Sequence, residues 1–203
     1  MAHTMTSAAA LTESATDSTG AEGEAWSFSA SVFVYLVPDD RDYLQPTFVA
    51  TRGRLQLVVR YNYEDFNTGS AWIGWNFNLG DELALELAPM AGLVFGGTNG
   101  IAPGYMGSLS WRKLELYSES ELVFDTENSF DDFFYNWSEL TLAPTAWFRF
   151  GGVIQKTKGY ESDREIQRGV LAGLSYRRMD VSTYVFNPDD DRPVVVLALG
   201  WRF

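Results

Sequence analysis

Glu115, Glu119 and Glu121 stand four and two residues apart on one short stretch of chain. In an extended strand, even spacings put all three carboxylates on one face. Three like charges that close repel, so an arginine from a neighbouring strand or a cation is expected beside them. Arg112, Arg149 and Arg177 are the candidate arginines. Paired carboxylates are also the equipment of glycoside hydrolysis, which Glu115 with Glu119 or Glu121 would supply. Histidine chemistry is excluded, because the single histidine, His3, lies in a low-complexity tail. Acyl transfer generally draws its general base from histidine. With no cysteine, thiol nucleophiles, thiolate metal sites and disulfides are excluded as well. There is no P-loop, dinucleotide fingerprint or helix-borne metal motif. We expect no enzyme here, with carboxylate-only glycosidase chemistry the one route left open.

The other chemistry-bearing residues follow the same two-residue period. Arg60, Glu86, Arg112, Glu115, Glu119, Glu121, Glu139, Arg149 and Arg177 fall on polar faces of strand-like runs. Glu139 shares its phase with Tyr135 and Trp137, which an aqueous lining does not ask for. Together these residues would line a pore with both signs of charge, or form a salt-bridged plug. A second acidic set lies between the runs: Asp39, Asp40, Asp42, Glu64, Asp65, Asp125, Glu127, Asp131, Asp132 and Asp189 to Asp191. Asp189, Asp190 and Asp191 have the oxygen ligands that Ca²⁺ or Mg²⁺ takes, without the spacing of an EF-hand loop. We therefore expect no cofactor beyond a possible loop-bound Ca²⁺ or Mg²⁺ that would bridge to lipopolysaccharide phosphates.

The elements that position these residues are strands. Aromatics make up 15% of the 203 residues, glycine is frequent and proline sparse. Aromatic and β-branched residues favour strands. Residues 1–24 carry no aromatic and no periodicity, and read as a disordered tail. Their Met-Ala-His-Thr-Met start reads as an expression remnant. The tail has neither the basic start nor the apolar core of a secretory signal, so the natural signal is removed or targeting is absent. From Trp26 to Phe203 we expect twelve strands, near 25–37, 43–51, 54–64, 70–79, 82–95, 103–111, 114–124, 133–142, 145–156, 167–177, 180–187 and 193–203. Ten strands is the alternative, if 103–124 and 133–156 each form one long bent strand. The runs approximate the 9–11 residues with which a tilted strand crosses a bilayer.

Short connections alternate with longer acidic ones. Thr51–Arg54, Leu79–Glu82, Trp111–Lys113, Ala143–Thr145 and Arg177–Asp180 are short, and this set carries Arg52, Arg54, Arg112, Lys113, Arg177 and Arg178. Pro38–Asp42, Glu64–Gly69, Gly96–Pro103, Asp125–Asp132, Lys156–Ile166 and Asn187–Arg192 are long. Membrane barrels have short turns at one end and longer loops at the other.

Alternation sorts the faces. Leu55, Leu57, Val59, Tyr61 and Tyr63 oppose Gln56, Val58, Arg60, Asn62 and Glu64; Ala71, Ile73, Trp75, Phe77 and Leu79 oppose Trp72, Gly74, Asn76 and Asn78. About eight strands give an interior that side chains fill. Twelve enclose more than one row of Leu and Trp per strand can pack, and voids forfeit dispersion contacts. The apolar face is therefore expected outward, around a polar, hydrated lumen. Aromatics near the strand ends, among them Tyr61, Tyr63, Phe66, Trp111, Phe130, Phe133, Phe134, Tyr135, Trp137, Tyr184, Phe186, Trp201 and Phe203, would form the interfacial girdles of such a barrel. The mean hydropathy of -0.14 is no objection, because barrel strands alternate apolar and polar residues.

The last strand carries Val195, Leu197, Leu199, Trp201 and Phe203 on one face and ends on the aromatic. It resembles the C-terminal strand of Gram-negative outer-membrane β-barrel proteins. In that superfamily a terminal aromatic, preceded by apolar residues at alternate positions, is read by the assembly machinery. The polar residue usual near the start of that strand has no clear counterpart here. Size and strand number are similar to the narrow twelve-stranded porins that pass oligosaccharides, though no motif fixes the subfamily. The resemblance implies an all-β, closed, antiparallel up-and-down transmembrane β-barrel over 25–203, located in the bacterial outer membrane. Its partners would be the bilayer, lipopolysaccharide, the assembly machinery and small polar solutes. The lipid-modifying and proteolytic enzymes among such barrels use a histidine that this barrel lacks. A net charge of -12 argues against nucleic acid. The expected function is a channel for passive diffusion of small polar solutes. The alternatives are a non-conducting barrel acting through its acidic loops, and a soluble β-barrel that binds an apolar ligand.

Overall fold

The computed structural model describes residues 25–38, 40–127, 132–159 and 165–203. The expectation for the tail 1–24, and the residues Asp39, Phe130 and Asp131, lie outside them. The described chain forms β1 (Ser27–Leu36), β2 (Tyr43–Arg52), β3 (Leu55–Tyr61), β4 (Thr68–Trp75), β5 (Phe77–Leu79), β6 (Leu83–Gly96), β7 (Gly100–Trp111), β8 (Leu114–Asp125), β9 (Phe133–Thr145), β10 (Phe148–Gly159), β11 (Glu165–Tyr176), β12 (Met179–Phe186) and β13 (Val194–Arg202). No helix occurs among the described residues. The segments β4 and β5 are one wall strand interrupted at Asn76, and both pair with β6. The wall thus has 12 strands.

Each strand pairs antiparallel with its sequence neighbours, and β1 pairs with β13 to close the ring. Closure leaves no edge with unpaired backbone, which a sheet in hydrocarbon requires. The seam runs to the last residue, where the Phe203 N–H donates to the Phe28 carbonyl at 2.9 Å. Twelve strands rather than ten follow from tight turns within the two ambiguous segments. Arg112 takes a φ of 57° between β7 and β8, and residues 146 and 147 turn the chain between β9 and β10. Gly53 and Arg177 open their turns with φ of 56°, the left-handed geometry that primed hairpin turns need.

One long connection is shorter than expected. Strand β7 begins at Gly100, so Pro103 lies inside it and pairs with Ala91 of β6. Its missing N–H is accommodated toward β8, where the pairing runs from Ile101–Phe124 directly to Gly104–Glu121.

The apolar face points outward. Phe48, Val59, Ile73, Leu93, Ile101, Leu140, Ile154, Val170 and Leu199 are all exposed, from strands all round the ring. A soluble barrel has the reverse arrangement. Tyr63 departs from its expected face. Asn62 adopts a φ of 54°, which breaks the two-residue period after Tyr61. The chain then turns into the barrel and carries both Tyr63 and Glu64 inward, where Tyr63 packs against the interior aromatic cluster.

The interior differs from the hydrated lumen expected. Tyr35, Tyr117, Tyr135, Trp137, Tyr184 and Phe186 are buried in one cluster. Val58, Trp72, Met90, Val94, Ala102 and Val123 form a second. The girdle assignment of Tyr63, Tyr135, Trp137, Tyr184 and Phe186 is therefore corrected. A twelve-stranded ring is too wide for aliphatic rows to meet, but aromatic side chains bury 150–250 Å² each and reach across it. Tyr61, Trp111, Trp201 and Phe203 do face outward, as expected.

Candidate functional site

Side chains from several strands meet inside the ring at a waist around Arg60 of β3. Its guanidinium is buried, with Nη1 3.0 Å from Glu121 Oε2, Nη2 3.7 Å from Glu119 Oε2 and Nη1 3.9 Å from Glu64 Oε1. Its planar face lies 4.0 Å from the Tyr63 ring centre and 5.3 Å from that of Trp72. Strand β8 supplies Tyr117, Glu119 and Glu121 on its inward phase. The Tyr117 hydroxyl donates to Glu119 Oε2 at 2.7 Å, and the Tyr63 hydroxyl donates to Glu119 Oε1. Glu64 accepts from the Ser70 hydroxyl and, at 3.2 Å, from the Trp72 indole N–H. One cation thus faces three carboxylates, and Glu121 Oε1 and Glu64 Oε2 have no hydrogen-bond partner. The Trp72 ring lies directly on Gly92, where an added Cβ would come within 2.4 Å of it.

A second polar group continues the interior. Glu139 accepts from Trp137 Nε1 at 2.8 Å and from the Tyr184 hydroxyl at 3.0 Å. Arg149 is buried and lies along the wall over Gly173, donating from Nη2 to the Ser182 hydroxyl at 2.5 Å. Its Nε and Nη1 have no hydrogen-bond partner. Asp180 takes a hydrogen bond from Ser175 at 2.5 Å and an ion pair from Arg202 at 3.5 Å.

Two cavities meet at Tyr35. A vestibule of about 530 Å³ opens among the long connections, with Asp40, Arg41, Tyr43, Phe66, Gln155 and Gln167 around it. Below it lies a smaller chamber. Phe33, Tyr35, Tyr63, Tyr135, Trp137, Glu119 and Arg60 line the chamber.

This geometry invites comparison with known proteins. No family model and no curated protein matches the sequence. Solved structures do match. The KdgM porin in complex with disordered oligogalacturonate superposes with a TM-score of 0.64 at 11% identity, covering 86% of this chain and 99% of that one. The NanC porin gives 0.57 at 7% identity, covering 87% and 98%. The outer membrane protein Omp33 of Acinetobacter baumannii gives 0.51 at 11%, covering 90% and 100%. The chain has the fold of the outer-membrane β-barrel porins.

Within that porin fold, Arg60, Glu119, Glu121, Glu139 and Arg149 are buried inside the ring. Glu86 and Glu115 share the inward phase of β6 and β8 and are half-buried. Arg112 and Arg177 do not line the interior. Both open two-residue turns, where the side chain leaves the wall. Arg112 pairs with Glu82 at 3.6 Å in solvent, and Arg177 lies over the outward Tyr176 ring. The partner expected for the Glu119–Glu121 pair among Arg112, Arg149 and Arg177 is instead Arg60, from a strand that does not neighbour β8. The expectation considered only neighbouring strands. Glu64, Tyr63, Trp72 and Tyr117 complete the site and were not among the expected residues. The buried Glu64 shared its phase with Arg60 in the sequence, a signal obscured by its place at the head of an acidic connection.

The C-terminal residues Leu197, Leu199, Trp201 and Phe203 face outward, and Val195 shares their phase, half-buried. Asp189, Asp190 and Asp191 lie beyond Asn187, in the connection from β12 to β13. The Arg168 guanidinium, donating to Asp189 Oδ2 at 2.6 Å, holds the Asp189 carboxyl below its ordinary pKa. Among the described residues no three His, Cys, Asp or Glu converge as a metal site.

Proposed function

We propose that this barrel is an outer-membrane channel for passive diffusion of small polar solutes. The observation that carries the reading is a closed ring, apolar on its outer face, whose interior holds charges of both signs beneath an open vestibule. Solutes would enter among the acidic connections and pass the Arg60 waist, whose charges and width set selectivity. The outer face would meet the bilayer, and the terminal Trp201 and Phe203 would serve the assembly machinery. The carboxylates of the long connections, Asp190 and Asp191 included, would sit at the lipopolysaccharide surface, with divalent cations as bridges. The porin neighbours support this reading through their fold alone.

The filled waist favours a second reading, a non-conducting barrel that works through its loops. Conductance of the refolded protein in a planar bilayer decides between them. Discrete steps support the channel. A silent bilayer, with folding verified in the same preparation, leaves the plugged barrel.

A further inference from the structure

The interior is rich in carboxylate. Among the described residues Glu64, Glu86, Glu115, Glu119, Glu121, Glu139 and Asp180 are inward or buried, against Arg60, Arg149 and the half-buried Arg202. An acidic solute such as the oligogalacturonate of the KdgM complex would meet like charge here. The chamber at the waist offers something else. Phe33, Tyr35, Tyr63, Tyr135 and Trp137 present rings to it, and Glu119 supplies the carboxylate. Aromatic faces around a desolvated site attract cations through the ring quadrupole, and such cages hold quaternary ammonium groups. The protein's own cations already use these surfaces. Arg60 lies over Tyr63 at 4.0 Å, and Arg41 lies over Phe66 at 5.1 Å on the vestibule rim. Arg60 is one cation among the three carboxyl groups of Glu64, Glu119 and Glu121, and Glu119 lines the chamber beside the rings.

We propose that the chamber between Trp137 and Glu119 is a subsite for a small organic cation of the alkylammonium class. The proposal deepens the channel reading by naming the solute class. Tyr35 borders both cavities, so a cation drawn in by the acidic connections has an aromatic-lined route to the subsite.

The test titrates the full-length, detergent-refolded protein with tetramethylammonium chloride and reads intrinsic tryptophan fluorescence, because Trp137 lines the chamber. Potassium chloride at equal ionic strength is the control, and heat-dependent gel mobility checks folding. A saturable change with tetramethylammonium and none with potassium is expected. Glu119→Gln is expected to weaken it at least tenfold. Should that variant not fold, Phe33→Leu is expected to weaken it while leaving every hydrogen bond of the waist intact. No saturable response, or the same response to potassium, overturns the proposal. So does a saturable response to a neutral disaccharide without one to tetramethylammonium, which would make the chamber a sugar platform. Conductance is measured on the same preparation. A silent bilayer with saturable binding sinks the channel reading alone, and steps without binding sink the subsite alone.

Discussion

Arg60 of β3 and Glu121 of β8 meet at 3.0 Å across the barrel interior, although three wall strands separate them around the ring. A bond between non-neighbouring strands braces the cross-section and closes off space at the same time. Both side chains are buried, at 2% side-chain exposure each. Removing one partner of a buried pair leaves an uncompensated charge, at a cost of about 3–5 kcal/mol. Arg60→Met is therefore expected to lower the denaturant-unfolding free energy in detergent by about that amount. The double variant Arg60→Met/Glu121→Gln is expected to lose less than the sum of the single changes, because the second removes the stranded charge. Simple additivity would mean that lumen water screens the pair.

Tyr63 is expected to control the width of the waist. It reaches the interior only because Asn62 takes a left-handed conformation, and there it contacts Glu119, Arg60 and, edge-on at 5.2 Å, Tyr135. Removing the ring in Tyr63→Ala opens space beside the chamber. Single-channel conductance should rise by about twofold or more, since the narrowest section dominates the resistance of a pore. Trp147→Ala, in an exposed turn outside the wall, should leave conductance unchanged. Equal conductance in both variants would show that ions do not pass beside Tyr63.

The outward apolar face makes a thermodynamic prediction that separates a membrane barrel from a soluble one. Ile73 is 56% exposed and pairs with Leu57 and Ala91 near mid-wall. An arginine at mid-bilayer on a lipid-facing strand costs about 2–4 kcal/mol. Ile73→Arg should lose that much folding free energy in lipid vesicles. Asp190→Arg, on an exposed connection, should stay within about 0.5 kcal/mol of the parent. A soluble barrel would fold without detergent and tolerate both changes.

All twelve strands were legible in the residues, because period-two patterning and turn chemistry are local signals. The inward phases of Arg60, Glu119, Glu121 and Arg149 follow from the same parity. Arg112 and Arg177 were misplaced for a related reason. Each lies one step past its strand, where a positive φ ends the alternation that the assignment relied on. What could not be read was which side chains meet across the ring. The Arg60–Glu121 bond depends on barrel diameter and strand tilt, and no spacing in the chain records either. Residue type and nearness to the strand ends point the aromatics to interfacial girdles. Yet Tyr135, Trp137 and Tyr184 share the parity of buried residues, and parity rather than residue type was the better guide. Tyr63 escaped even parity, since one left-handed asparagine reversed its face.

Phe203 allows equilibrium stability to be separated from assembly. Its N–H donates to Phe28 at the seam, a bond whose net contribution is about 0.5–1.5 kcal/mol. Its ring is 61% exposed on the outer face, so little protein packing is lost with it. Deleting Phe203 should therefore lower the unfolding free energy in detergent by about 1.5 kcal/mol at most. If the terminal aromatic is also read as an assembly signal, folding into vesicles that contain the purified assembly machinery should fall much further, by tenfold or more, while spontaneous refolding in detergent stays near the parent rate. The comparison is made by following heat-dependent gel mobility over time in the two systems. Parallel losses in both would assign Phe203 a purely structural role at the seam, whereas a loss confined to the machinery-containing vesicles would assign it a recognition role that its exposed, outward ring is well placed to serve.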